Sequence, residues 1–160
     1  MPVVVLRAED FGVTGYESAD ELNNHVELKA RIEAVRLKAG VAMNLGDVTD
    51  KVVPKMCLIA PPVAGGNVST RTFIPHVCHS AIGVLGAVSV ATACALSGSV
   101  AEGIASIHDG LVKTLSVEHP SGEFSMTLTF DQSGAVQSAG LVRTARLLAK
   151  GELYLPKSVI

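Results

Sequence analysis

Two histidines, a cysteine and a serine crowd the run His76-Val77-Cys78-His79-Ser80-Ala81, and an uncharged apolar stretch, Ile82 to Leu96, follows it directly. If that stretch is a helix, its first turn carries up to four N–H groups without intrahelical partners, at the positive end of the helix dipole. Such a junction can cradle a carboxylate. Gly83 and Gly86 admit a ligand or a neighbouring backbone, Ser80 can cap, His79 can donate or carry charge, and the dipole can activate Cys78. An ordinary N-cap with both histidines satisfied by backbone groups accounts for the same residues. Zinc is poorly served, because His76, Cys78 and His79 are tightly spaced and nothing supplies a fourth ligand. No metal site is expected.

His119-Pro120-Ser121-Gly122 is the second concentration of functional groups. By itself it makes a tight turn, proline fixing φ and glycine permitting positive φ. Glu9-Asp10 could form an acid/base pair, but it abuts a turn, and sequence neighbours on a strand point to opposite faces. Gly65-Gly66 lacks the spacing of a P-loop or a dinucleotide fingerprint. Arg143 and Arg146, three apart on an expected strand, point opposite ways and read as surface.

The elements that must position these groups follow from periodicity. Pro2 to Ala8 is valine-rich and reads as a strand, running into a turn at Glu9–Gly12. Ser18-x-x-Glu21 has capping-box spacing, and Leu28, Ile32, Val35 and Ala39 mark one face of an amphipathic helix. Its other face, with Lys29, Arg31, Glu33, Arg36 and Lys38, reads as solvated. Gly40 weakens that helix and Gly46 ends it. Lys55 to Ala60 and Val68 to Ile74 are strands, stopped by Pro61-Pro62 and Pro75. The Ile82–Leu96 helix is apolar all round, so it must be surrounded by protein. Leu111–Glu118 and Glu123–Phe130 form a hairpin, with Phe124, Met126, Leu128 and Phe130 on one side. Asp131–Gly134 turns into a strand from Val136 to Leu148, and Lys150-Gly151 turns into another from Glu152 to Leu155. The expected fold class is α+β, a single domain over residues 1–160, with a mixed, largely antiparallel sheet of five to seven strands curled around a buried central helix.

Composition narrows the function classes. Of 160 residues, 48% are hydrophobic and only 18% charged, against a globular norm of roughly 25% charged, which excludes disorder. The net charge of −2 gives no footprint for nucleic acid. Aromatic residues at 4%, with no tryptophan, give no stacking platform. Cys57, Cys78 and Cys94 form no disulfide framework, and Cys57 and Cys94 read as small buried apolar residues. The N-terminus lacks a basic region and cleavage site, and the apolar run falls short of a membrane span, so a cytoplasmic setting without membrane contact is expected. The shortage of charge implies an apolar face that docks onto another domain or subunit, or a second copy of the chain.

Four motifs occur together in order: Arg7-Ala-Glu-Asp-Phe-Gly12 after a valine-rich strand, Pro75-His-Val-Cys-His-Ser-Ala81 before a small-residue helix, Glu118-His-Pro-Ser-Gly122, and Leu141-Val-Arg-Thr-Ala-Arg146 followed by Gly151-Glu-Leu-Tyr-Leu-Pro156. In this combination the chain resembles the methylaconitate isomerase family of the diaminopimelate epimerase-like superfamily, which includes 4-oxalomesaconate tautomerases and methylitaconate isomerases. The resemblance runs from Pro2 to about Pro156 and is to the second, C-terminal domain of a two-domain isomerase.

The resemblance implies the substrate-binding half of a cofactor-independent isomerase that shifts a proton and a double bond in an aconitate-type tricarboxylate. Methylaconitate or aconitate is favoured, with 4-oxalomesaconate and methylitaconate as alternatives within the family. A non-catalytic carboxylate-binding module is the alternative from another class. It also implies that the proton-transfer base, a lysine, and a Cys-Gly-Asn motif lie in the first domain, so that the chain alone is inactive and its partner is that domain or another subunit. The family's helix-start histidine maps to His79, which makes His79, Ser80, Ala81, Ile82 and Gly83 the substrate-binding candidates. His76 and Ser121 are further candidates, and Cys78 is the one catalytic candidate within the chain.

Overall fold

The computed structural model describes residues 1–141, 145–152 and 154. Runs of apolar and β-branched residues make the first two strands, β1 (Val3–Arg7) and β2 (Lys55–Ala60), which pair in parallel from Val3 opposite Lys55 to Arg7 opposite Ile59. A parallel pair needs a crossover. Here it is α1 (Ala19–Asn24) and α2 (Val26–Ala42). The capping box forms: Ser18 Oγ accepts the Glu21 N–H at 3.2 Å, and the Glu21 carboxylate accepts the Ser18 N–H at 2.8 Å.

Pro61 and Pro62 end β2, and the chain reverses into β3 (Val68–Phe73), antiparallel to it. A second crossover through α3 (Val84–Ala95) leads to β4 (Val112–His119), parallel to β3. The hairpin to β5 (Gly122–Phe130) and the turn to β6 (Val136–Leu141) complete a six-stranded sheet in the order β1-β2-β3-β4-β5-β6. Parallel crossovers are right-handed. Since β3 and β4 run opposite to β1 and β2 while the sheet grows the same way, that one hand puts α3 on the face opposite α1 and α2. Alternate residues of β2 record the split: Met56, Leu58 and Ala60 pack with Leu22, Leu28 and Ile32, whereas Cys57 and Ile59 pack with Ala87, Val90 and Ala91. The inward residues of the β4–β5 hairpin, Leu115, Val117, Phe124, Met126, Leu128 and Phe130, also face α3, and the sheet curls around it.

Five expectations are corrected. First, α3 is not surrounded: Gly86, Ala87, Val90, Ala91 and Cys94 are buried, but Leu85 is 62% exposed and Val84 and Leu96 are also open. Small residues fit this helix to the sheet; they do not show that its far side is covered. Second, Arg36 is fully buried rather than solvated. It continues the Leu28–Ile32 row by one further step of four, and its guanidinium donates to the carbonyls of Val48, Lys51 and Val53 at 2.9–3.1 Å and pairs with Glu33 at 2.6 Å. Third, α2 ends at Ala42 with Met43 as its C-cap rather than at Gly46, and Gly40 lies inside it, against Val48, where there is no room for a Cβ. Fourth, β6 is described over Val136–Leu141, and residues 145–149, where the expected strand ran on to Leu148, have no regular structure. Fifth, Glu152 and Tyr154 are not in a strand, while Leu153 and Leu155, like Arg143, lie outside the described residues. Arg146 is exposed.

Candidate functional site

Only the first residues of β3 pair with β4, Val68 with Val117 and Ser69 with Glu118, because β4 turns away at His119. The space beside the rest of β3 is taken by the chain doubling back after Pro75. Ile74 N–H bonds the Val77 carbonyl at 2.9 Å, Cys78 bridges Phe73, and His79 N–H bonds the Thr72 carbonyl at 2.8 Å. Asn23, at the end of α1, locks this return. Its Oδ1 accepts the Cys78 N–H at 2.6 Å and its Nδ2 donates to the Cys78 carbonyl at 3.3 Å. The return ends with the Ser80 backbone close enough to the His119 ring to favour its protonated form. Ser121 Oγ is 3.2 Å from His119 Nδ1. The two motifs that stand 40 residues apart in sequence therefore meet at His119.

Beside this junction a cavity of about 340 Å³ opens between the Pro61–Gly66 loop and the 119–122 turn, lined by Ser69, Arg71, Glu118 and His119 among others. Glu118 is 5% exposed, and its carboxylate accepts N–H groups from Val63, Ala64 and Gly66 at 2.9, 2.7 and 2.8 Å. Burial pushes its pKa up, but these donors and the field of Arg71 outweigh burial and hold the carboxyl below its usual range. Arg71 is 7% exposed; its Nε donates to the Glu17 carbonyl at 2.5 Å and its Nη1 to the Thr70 carbonyl at 2.8 Å. Burial lowers its pKa, and for a guanidinium that leaves the charge in place at neutral pH. Burial also lowers the His119 pKa, against the opposing pull of Glu123 and the Ser80 backbone. An imidazole held this way is largely neutral at pH 7 and can gain a proton when a carboxylate arrives.

The sequence-selected residues divide around this site. His76 is exposed, with Nδ1 3.5 Å from Glu33. Cys78 is 3% exposed, and burial pushes its thiol up to about 11, partly offset by Arg71, so it is not a thiolate activated by a helix dipole. Cys57 and Cys94 are pushed to about 12 by burial. His79 and Ser80 are exposed, and the Ala81 N–H bonds His79 Nδ1 at 3.4 Å. Ile82 is 6% exposed, inside the α3 core. Ser80 does not cap α3. The N-cap is Gly83, with no side-chain cap, and the first intrahelical bond runs from Ala87 N–H to the Gly83 carbonyl at 2.9 Å. The unpaired first-turn donors are thus those of Val84, Leu85 and Gly86, just beyond the selected stretch. Glu9 and Asp10 lie on an exposed 3-10 turn, Glu9 3.6 Å from Arg7. Among the described residues no group of three His, Cys, Asp or Glu could hold a metal, and no helix is long and apolar enough to cross a membrane.

Arg71, Glu118 and Asn23 escaped selection. A period-two reading sends Arg71 outward, yet β3 is an inner strand whose six residues are all buried. An arginine between two threonines on a strand ending in proline was the available signal.

Comparison with known proteins gives consistent matches. A family profile described as "PrpF protein" covers residues 1–156. The chain is 57% identical over 155 residues to the (4E)-oxalomesaconate Delta-isomerase of Novosphingobium sp. (strain KA1), covering 97% of this chain and 43% of that protein. It is 58% identical over 151 residues to the 4-oxalomesaconate tautomerase of Pseudomonas putida, covering 94% and 42%. A crystal structure of methylitaconate-delta-isomerase superposes with a TM-score of 0.76 at 21% identity, over 98% of this chain and 45% of that one. The two share a diaminopimelate epimerase-like fold, and the chain spans less than half the length of the curated relatives it matches.

Proposed function

Because the chain belongs to the PrpF protein family, we propose that it is the substrate-binding half of an isomerase that shifts a proton and double bond in a tricarboxylate of the oxalomesaconate type. The observation that carries this reading is the high identity, along nearly the whole chain, to two proteins named for oxalomesaconate isomerisation or tautomerisation. That identity turns the substrate preference from methylaconitate or aconitate to 4-oxalomesaconate.

Such a reaction removes a proton from carbon beside a carboxylate and returns one at the far end of the allylic unit, and the dienolate formed between needs positive partners. On this reading the start of α3 supplies N–H donors, with His79, Ser80, Ala81 and Gly83 shaping the approach and His119 with Ser121 flanking it. The base comes from the rest of the protein, and the chain corresponds to the second domain of the two-domain isomerases. Exposed Val84 and Leu85 on α3, with Leu96 just beyond its end, are the face that meets that remaining part or another subunit.

The test is proton NMR in deuterium oxide with the full-length protein and each candidate acid. Deuterium entering 4-oxalomesaconate at carbon, faster than methylaconitate or aconitate, is the expected result. No exchange with any of them, together with tight binding, would leave a carboxylate-binding module instead. The 160-residue chain alone should not turn over, and turnover by it would refute the placement of the base outside it.

A further inference from the structure

Among the described residues two arginines are buried, Arg36 and Arg71, and they differ in one respect. Arg36 is fully buried and has Glu33 at 2.6 Å to balance its charge. Arg71 is 7% exposed, yet among the described residues no carboxylate lies within 4 Å of it. The acids whose field it feels are Glu17 and Glu118, and both have turned their oxygens to backbone donors. Glu17 accepts the N–H groups of Thr14 and Gly15 at 2.7 and 2.9 Å, and Glu118 accepts those of the 63–66 loop. Only neutral acceptors, the carbonyls of Glu17 and Thr70 and the hydroxyl of Ser69, receive bonds from the guanidinium, and Nη2 has no acceptor among the described residues.

A buried charge is ordinarily paired, because taking it out of water is costly. Arg71 lines the 340 Å³ cavity together with His119, a second group able to donate to an anion. The remaining donors of the wall, on the 63–66 loop, are occupied by Glu118. With Nε and Nη1 engaged, Nη2 is the nitrogen left to donate, and a charged guanidinium N–H makes a stronger hydrogen bond to a carboxylate than to a neutral acceptor.

We propose that Arg71, with His119 across the cavity, forms a carboxylate subsite apart from the start of α3, and that it takes a second carboxylate of the substrate. A substrate held at two charged ends has its allylic carbons fixed between them, which is what a directed proton shift requires. The identity of the anion rests on the isomerase reading; the existence of the subsite does not.

The experiment follows the Arg71 Nε–H signal of the ¹⁵N-labelled full chain, assigned by its loss in Arg71→Lys, during titration with trans-aconitate and separately with inorganic phosphate. Calorimetry of wild type and Arg71→Met runs beside it. Expected are a saturable shift of that signal with trans-aconitate and affinity about ten- to hundredfold weaker in Arg71→Met, the range for one lost charge-assisted hydrogen bond. A shift with phosphate but none with trans-aconitate upholds the subsite and counts against the tricarboxylate reading. Trans-aconitate binding that leaves the Arg71 signal unmoved overturns the subsite and spares the reading. A signal unmoved by either anion also overturns it. The wild-type titration decides the matter even if Arg71→Met fails to fold.

Discussion

Replacing Glu118 by glutamine tests how the loop over the cavity is held. The carboxylate takes two N–H groups on Oε1, from Ala64 and Gly66, and one on Oε2, from Val63, at 2.7–2.9 Å. Glutamine has one carbonyl oxygen. If it faces Ala64 and Gly66, its amide NH₂ faces the Val63 N–H, so one bond is lost and two donors oppose each other. The two surviving bonds fall from charge-assisted to neutral strength, roughly halving each. With about 1.5–3 kcal/mol for a bond to a charged group and about 1 kcal/mol for a neutral one, and with the cost of burying the charge returned, the net loss should be about 2–4 kcal/mol. Urea denaturation at pH 7 measures it.

The pH dependence supplies the stricter check. Glu118 has a folded-state pKa below its ordinary value near 4.5, so its stabilising effect is complete above that value and lost as pH falls through the lower, folded one. Wild type and Glu118→Gln should therefore converge in stability below about pH 4.5. A neutral-pH difference under about 0.5 kcal/mol, or one that stays constant down to pH 3, refutes the account.

Arg36→Met should cost about 3–5 kcal/mol in denaturation, since it strands the buried carbonyls of Val48, Lys51 and Val53, while Glu33→Gln should cost about 1 kcal/mol because Glu33 is partly exposed. Gly40→Ala should lower stability by about 1–3 kcal/mol, although helix propensity alone would raise it by about 1 kcal/mol. The added methyl comes within 2.7 Å of Cγ1 of Val48, which is only 1% exposed and cannot move aside, so a higher melting temperature would contradict the packing. Cys78, with its thiol pushed up to about 11, should resist iodoacetamide at pH 7.5 in the native chain and react once urea unfolds it; rapid native alkylation would show an activated thiolate.

Elements with one dominant local signal were readable from sequence. Lys55–Ala60 is bounded by prolines, Ser18 and Glu21 cap each other, and the Phe124–Phe130 alternation marks its inward face. What could not be read depends on partners far along the chain. Arg36 shares the charge of its surface neighbours Arg31 and Lys38, and only the carbonyls of the 48–53 loop explain its burial. Arg71 is inward because both faces of β3 are covered, a consequence of α2 and α3 lying on opposite sides of the sheet. His119 and Ser80 meet because β4 turns away from β3 two residues after their pairing begins. Likewise, the apolar surface of α3 says what the helix prefers to touch. It does not say how much of that surface this chain covers.

Among the described residues the six strands lie across the sheet in the order in which they are made, so its outermost strands are its first and its last. Anything joined ahead of β1 or behind β6 leaves from a margin, with no ladder to interrupt and nothing to thread through. A unit built this way can be fused at either end, placed in tandem with another of its kind, or widened by one strand, while every hydrogen bond in its interior stays where it is.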